Sequence, residues 1–157
     1  MKEFFIRKAK QNDLDQIRFL FRDTVLHINS KNYDQKQIKF WANGVKHINS
    51  WKNKIDTQEF FVAVSEEKIL GFASVTQEGY LDLMYVHKDH QREGVGKKLI
   101  LQIEETTRKL KLNKIVSDVS STAKTFFEKS GFEKTGDNRK EYGDVVFVNN
   151  CMEKKLI

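Results

Sequence analysis

The spacing of hydrophobic positions changes period several times along this chain, and each change marks an element. Residues 4–8 are short and β-prone. Asn12 or Asp13 can cap a helix. In that helix Leu14, Ile17, Leu20, Phe21, Val25 and Ile28 recur at helical spacing and form one apolar face. Residues 29–32 break it. Asp34 then caps a second helical stretch through Ile38, Phe40 and Trp41, ending near Asn43-Gly44. Residues 47–55 read as either a short helix or a loop. Residues 60–65 and 69–77 read as strands joined by a Glu66-Glu67-Lys68 turn, a hairpin pattern. Glu78-Gly79 turns the chain into a third strand, residues 80–86. Residues 94–112 are helical, with Val95, Leu99, Ile103, Thr106 and Leu110 on one face. A strand over 114–119 and a short helix over 122–130, stopped by Gly131, follow. Two last strands lie around Lys134 and over 145–155.

The order β-α-α-β-β-β-α-β-α-β-β predicts an α/β fold with a mixed sheet and helices on its faces. The strand–helix–strand unit over 80–119 is expected to be a right-handed parallel crossover. A length of 157 residues suits one domain over 1–157. Hydrophobic residues at 39% and charged residues at 32% suit a folded globular chain rather than a disordered one. No apolar run approaches the ~18–20 residues that span a bilayer. The opening Met1-Lys2-Glu3-Phe4-Phe5 is charged too soon for a secretory signal, so a cytoplasmic protein is expected, with no membrane partner. Cys151 stands alone, which excludes an internal disulfide and reads as a small strand residue. His27, His47 and His90 have no cysteine or carboxylate at metal-like spacing, so no metal is expected. The net charge of +6 suits an anionic ligand or nucleic acid. The lysines are spread along the chain with no compact arginine-rich tract, which counts against nucleic acid as a partner.

The stretch over 80–99 carries the candidate chemistry. A strand runs into a turn with Gly94 and Gly96, and the long helix starts there. The first turn of a helix has N–H groups without intrahelical acceptors, and its dipole is positive at that end. Together these bind phosphate. Gly94 and Gly96 let a ligand approach the backbone, and Arg92, Lys97 and Lys98 add charge. The spacing is neither the nucleotide P-loop nor the dinucleotide fingerprint, because Leu99 stands at the third glycine position. Taken alone, the same residues also describe a plain tight turn.

Gln91-x-x-Gly94-x-Gly96 resembles the acetyl-CoA-binding signature of the GNAT superfamily of N-acetyltransferases. Ser120-x-x-Ala123-x-x-Phe126-Phe127-Glu128-Lys129-x-Gly131-Phe132 resembles that family's second hallmark, and Ile6-Arg7-Lys8-Ala9 with Asp13 its opening. The likeness spans essentially the whole chain. It implies the GNAT fold and acetyl-CoA as cosubstrate. It further implies that Gln91, Arg92, Glu93, Gly94, Val95, Gly96 and Lys97 hold the diphosphate. Met84, Tyr85 and Val86 would pair with the pantetheine arm like an extra strand, and Ser120, Ala123, Phe126, Phe127 and Lys129 would flank the cofactor. Two positions depart from the family: Ser120 replaces its asparagine, and Phe127 its usual tyrosine, the group that protonates the departing thiolate. Tyr85, Ser121, Thr125 or water would have to supply that proton.

The implied reaction is acetyl transfer by direct attack of a primary amine, on a small molecule or a peptide, in a ternary complex. A free amine with pKa near ~10 must lose a proton before it attacks. Asp82, polar within an apolar strand, is the candidate acceptor, and Tyr80 on the same face a weaker one. A hydrogen-bonded or exposed strand residue is the plainer reading of Asp82. His87 reads as a turn residue near phosphate. Tyr33, Trp41 and Trp51 belong to the acceptor pocket or simply to the core. Asn149-Asn150 interrupts the last strand and marks either a bulge near the pocket or a polar edge. The departures at Ser120 and Phe127 also admit a non-catalytic acyl-CoA-binding regulatory module. The paired C-terminal strands offer a possible homodimer contact.

Overall fold

Seven strands form one sheet in the order β1-β2-β3-β4-β5-β7-β6 in a computed structural model that describes residues 3–156. Met1 and Lys2, part of the charged opening noted above, lie outside it. The strands are β1 (Phe5–Lys8), β2 (Glu59–Ser65), β3 (Lys68–Val75), β4 (Tyr80–Val86), β5 (Lys114–Val119), β6 (Glu133–Tyr142) and β7 (Val145–Lys155). The helices are α1 (Leu14–His27), α2 (Gln35–Ala42), α3 (Ile48–Thr57), α4 (Val95–Lys109) and α5 (Lys124–Lys129). This is the mixed α/β architecture the pattern predicted.

β2 shows why helices cover both faces. Its alternate residues enter two separate cores. Phe61 and Ala63 pack with Leu99 and Ile103 of α4 and with Phe127 of α5. Phe60, Val62 and Val64 pack with Ile17 and Phe21 of α1, Ile38 of α2 and Trp51 of α3. The stretch that was ambiguous is helix α3, because Trp51 and Ile55 fall four residues apart and both are buried. Asp34 caps α2 as expected, accepting from the Gln37 N–H at 2.8 Å. At the start of α1, Asp13 accepts from Arg7 at 2.8 and 3.0 Å and from the Lys10 N–H at 2.8 Å. These bonds tie β1 to the helix. No helix among the described residues is long and apolar enough to cross a membrane.

β4 and β5 are parallel across α4, as a crossover requires, but they pair only at Tyr80↔Val116 and Leu81↔Ser117. A register shift between β3 and β4 lies at the same place. Val75 is opposite Leu81 and Ser74 opposite Leu83, so Asp82 is the extra residue of a bulge. Leu81 therefore enters the α4 core while Leu83, two residues on, enters the α1–α3 core. Beyond the bulge the two strands separate and leave a wedge in the middle of the sheet. Of the two readings of Asn149-Asn150, the bulge is not there: both residues stay in register, opposite Asn138 and Asp137. The irregularity of that hairpin is in β6, between Lys134 and Gly136. β6 is longer than predicted because it is an exposed edge strand with no apolar alternation to reveal it.

Candidate functional site

The wedge opens into a cavity of about 960 Å³ lined from both sides of the sheet. One end is the loop before α4. Arg92 and Gly94 there have φ of 60° and 87°, and α4 begins at Val95. The left-handed turns point successive amides outward. Among the described residues, no N–H from residues 91 to 97 donates to a protein acceptor. These are the unpaired donors of a helix start, presented at a cavity wall. The Gln91 side chain pins the loop by donating to the Val86 carbonyl at 2.7 Å, which the Thr24 hydroxyl also reaches at 3.0 Å. Arg92, Lys97 and Lys129 line the same end. Glu93, the acid of the loop, turns instead to His90 at 3.0 Å. The result is a donor-rich, cationic mouth that fits a diphosphate.

Gly96 serves a different purpose from Gly94. A Cβ on Gly96 would lie 3.2 Å from the Phe126 ring, whereas one on Gly94 would meet nothing within 4 Å. Gly96 lets α5 close on α4. Gly94 supplies a backbone conformation that side chains disfavour and leaves open space beside it.

The middle of the cavity is bounded by β4 and by the start of α5. The His87 N–H donates to the Leu70 carbonyl at 2.8 Å. By strand alternation the main chain of Tyr85 also faces β3, and the main-chain groups of Met84 and Val86 face away from it. The Val86 carbonyl is already occupied, which leaves the main chain of Met84 and the Val86 N–H free on the wedge side. Tyr85 contributes through its side chain. Its phenol oxygen accepts from Trp41 Nε1 at 3.2 Å, and burial holds its hydroxyl far above the usual phenol range. The group is therefore a neutral O–H donor. The Ser120 hydroxyl accepts from the Ala123 N–H at 3.2 Å and shapes the turn into α5. Phe127 is only 3% exposed and packs edge-on against Phe132, its centroid 5.0 Å away. It carries no proton to give.

The far end lies between the α1–α2 corner and the β6–β7 hairpin. Phe40, Trp41, Tyr142 and Phe147 form its wall, with the Phe40 and Tyr142 rings tilted by 30° and their centroids 4.6 Å apart. Tyr33 packs against this wall but Trp51 does not line the cavity; it is core, 5.1 Å from Phe21. Asp82 faces the cavity, with Oδ2 held by Lys54 and by Gln58 Nε2 at 2.8 Å. Tyr80 lines the cavity together with Asp82 and Asp118. Burial, then the charges of Asp118 and Asp82, keep its phenol protonated.

Asp118 and Lys140 also line this end and were not singled out in the sequence; Asn149, noted there as part of a bulge near the pocket or a polar edge, lines it with them. A usable signal was present: Asp118 is a polar residue in an apolar strand, as Asp82 is, one residue past the last rung that joins β5 to β4. His87 sits in the loop as expected, accepting from the Asp89 N–H at 3.1 Å, but does not line the cavity.

Comparison with known proteins agrees with this architecture. The family model described as an acetyltransferase (GNAT) domain matches residues 29–156. An uncharacterized N-acetyltransferase of Escherichia coli, YafP, is 30% identical over 155 residues, covering 99% of this chain and 98% of its own. A GCN5-related N-acetyltransferase from Rhodopseudomonas palustris superposes with a TM-score of 0.94 at 23% identity, covering 99% of this chain and 98% of that one. The PaiA N-acetyltransferase from Thermoplasma acidophilum, crystallised with coenzyme A, superposes with a TM-score of 0.80 at 20% identity, covering 98% of this chain and 99% of that one. The glycine turn, the split sheet and these relatives converge: the chain belongs to the GNAT family of acetyltransferases and is an enzyme of the N-acetyltransferase type.

Proposed function

We propose that this protein, acting as one domain over residues 1–157, moves an acetyl group from acetyl-CoA to a primary amine of a small molecule or peptide. The amine attacks directly within a ternary complex. The observation that carries this reading is the continuity of the cavity, from the amide cradle at the start of α4 through the wedge to the aromatic chamber. Two substrates entering from opposite ends meet between β4 and β5. Cys151 does not line that space, so no cysteine nucleophile stands between them.

Acetyl-CoA supplies the electrophilic thioester carbon, and the residues divide the remaining work. Amides over 91–97, with Arg92, Lys97 and Lys129, hold the diphosphate. Met84, facing the wedge, pairs with the pantetheine arm, and its N–H polarises the carbonyl. Phe126 and Phe127 pack beside the arm, while the Ser120 hydroxyl and Ala123 bound it. A new N–C bond forms as the C–S bond breaks. The amine proton passes to Asp82, with Tyr80 beside it. The departing sulfur takes a proton from the Tyr85 hydroxyl, which stands in for the tyrosine absent at Phe127. The cytoplasm is the compartment this reading assigns.

The test is release of free coenzyme A thiol from acetyl-CoA across a panel of primary amines. Amine-dependent release is expected, with both substrates present before any product forms. The buried Phe127 ring, with Ser120 in place of the family's asparagine, favours a binding module instead. Saturable acetyl-CoA binding with no amine-dependent release would move the assignment to that module.

A further inference from the structure

The chamber end of the cavity contains an unexplained polar feature. Asp118 Oδ1 and Asn149 Oδ1 are both shielded from solvent and accept no hydrogen bond. Buried acceptors without donors are rare and call for a partner. Both residues line the cavity. Asp118 Oδ2 is engaged, by Asn149 Nδ2 at 3.2 Å and by Lys140 Nζ at 3.2 Å. Lys140 reaches in from the edge strand β6 and its side chain is 43% exposed, whereas that of Asp118 is 11% exposed. The pair therefore joins a largely buried carboxylate to a lysine that solvent still reaches. The second carboxylate, Asp82, is already paired with Lys54 of α3. What the site lacks is N–H donors, and an ammonium group brings three.

We propose that Asp118, with Asn149 and the Tyr80 phenol oxygen, is the seat of the acceptor's ammonium group. Lys140 occupies that seat in the free protein and yields it to the substrate. The inference rests on the amine-acceptor reading above and narrows its substrate class. The seat opens onto the Phe40, Trp41, Tyr142 and Phe147 wall, so the matching acceptor is a primary alkylammonium with an aromatic or apolar body. A cation beside aromatic faces gains further attraction. An α-carboxylate on the same molecule would be repelled by Asp118 and Asp82.

The experiment is calorimetric titration of 2-phenylethylamine into the full-length protein loaded with coenzyme A, so that binding is read apart from catalysis. Asp118→Asn should weaken binding about 10- to 100-fold, as loss of a charge-assisted hydrogen bond does. Lys140→Met should tighten it about 2- to 5-fold, because a half-exposed ion pair no longer competes. Phenylalanine should bind at least tenfold more weakly than 2-phenylethylamine. A purely structural Asp118–Lys140 pair predicts the opposite sign for Lys140→Met, and that result overturns the proposal. So does unchanged affinity in Asp118→Asn, or no binding of 2-phenylethylamine. Coenzyme A affinity, measured on both variants, should stay within twofold of wild type and shows that each variant is folded. If the amine binds with these signs but acetyl-CoA yields no thiol, the seat stands and the transferase chemistry falls.

Discussion

Replacing Gly94 separates the cost of a backbone conformation from the loss of a binding site. Its φ of 87° is in the left-handed region. Any L side chain there costs about 1–2 kcal/mol. For a chain of 157 residues each kcal/mol moves the melting temperature by about 2–4 °C, so both Gly94→Ala and Gly94→Glu should melt roughly 2–8 °C below wild type without ligand. No steric term adds to this, because a Cβ at Gly94 meets nothing within 4 Å. With acetyl-CoA at about 100 times its Kd, linkage stabilises wild type by about 2.7 kcal/mol, a rise of roughly 5–11 °C. A glutamate placed about 4 Å from a phosphate charge opposes binding by about 4 kcal/mol at an effective dielectric near 20, or roughly a thousandfold in Kd. The ligand shift should then vanish in Gly94→Glu. The assay is a thermal melt of the three proteins with and without acetyl-CoA. If Gly94→Glu melts like Gly94→Ala and still gains the full ligand shift, the diphosphate does not lie at the start of α4.

Tyr85→Phe should lower kcat by about 10²–10⁴-fold if its hydroxyl protonates the departing thiolate. It should also cost about 1–3 kcal/mol of stability, because Trp41 Nε1 loses its acceptor. Adding Phe127→Tyr to that variant should restore part of kcat; a Tyr85→Phe enzyme with wild-type kcat would remove Tyr85 from the chemistry. The Arg7–Asp13 pair makes a pH-dependent prediction. Burial of Asp13 works against its charge, but the Arg7 guanidinium and the Lys10 N–H outweigh it and hold the carboxyl below its usual range. The unfolded chain therefore takes up this proton first. The pair's contribution is complete above about pH 4 and is lost as pH falls through the folded-state value. Asp13→Asn should melt about 3–12 °C lower at pH 7, and its gap to wild type should narrow below pH 4 in a melting series.

Periodicity and turn chemistry determined much of this protein by themselves. The two-sided strand β2, the apolar stripes of α1 and α4, the Asp34 cap and the glycine turn at 91–97 are local signals. Each depends on residues that stay neighbours in the chain, so each is legible from the order of residues alone. The same holds for the cofactor end of the site, because the start of one helix binds phosphate with its own amides. The tertiary structure decided the rest. The bulge at Asp82 arises from pairing with β3, and nothing in Tyr80-Leu81-Asp82-Leu83 distinguishes an inserted residue from an ordinary alternation. The sheet splits beyond that bulge, where β4 and β5 no longer pair. Lys54 and Asp82, 28 residues apart, meet only when α3 folds over β4. Asp118, Lys140 and Asn149 come from three strands whose adjacency follows from the sheet order β5-β7-β6. A polar residue in a strand carries no sequence mark of what lies across from it. The acceptor end depends on such non-local juxtapositions, whereas the cofactor end is built from one turn.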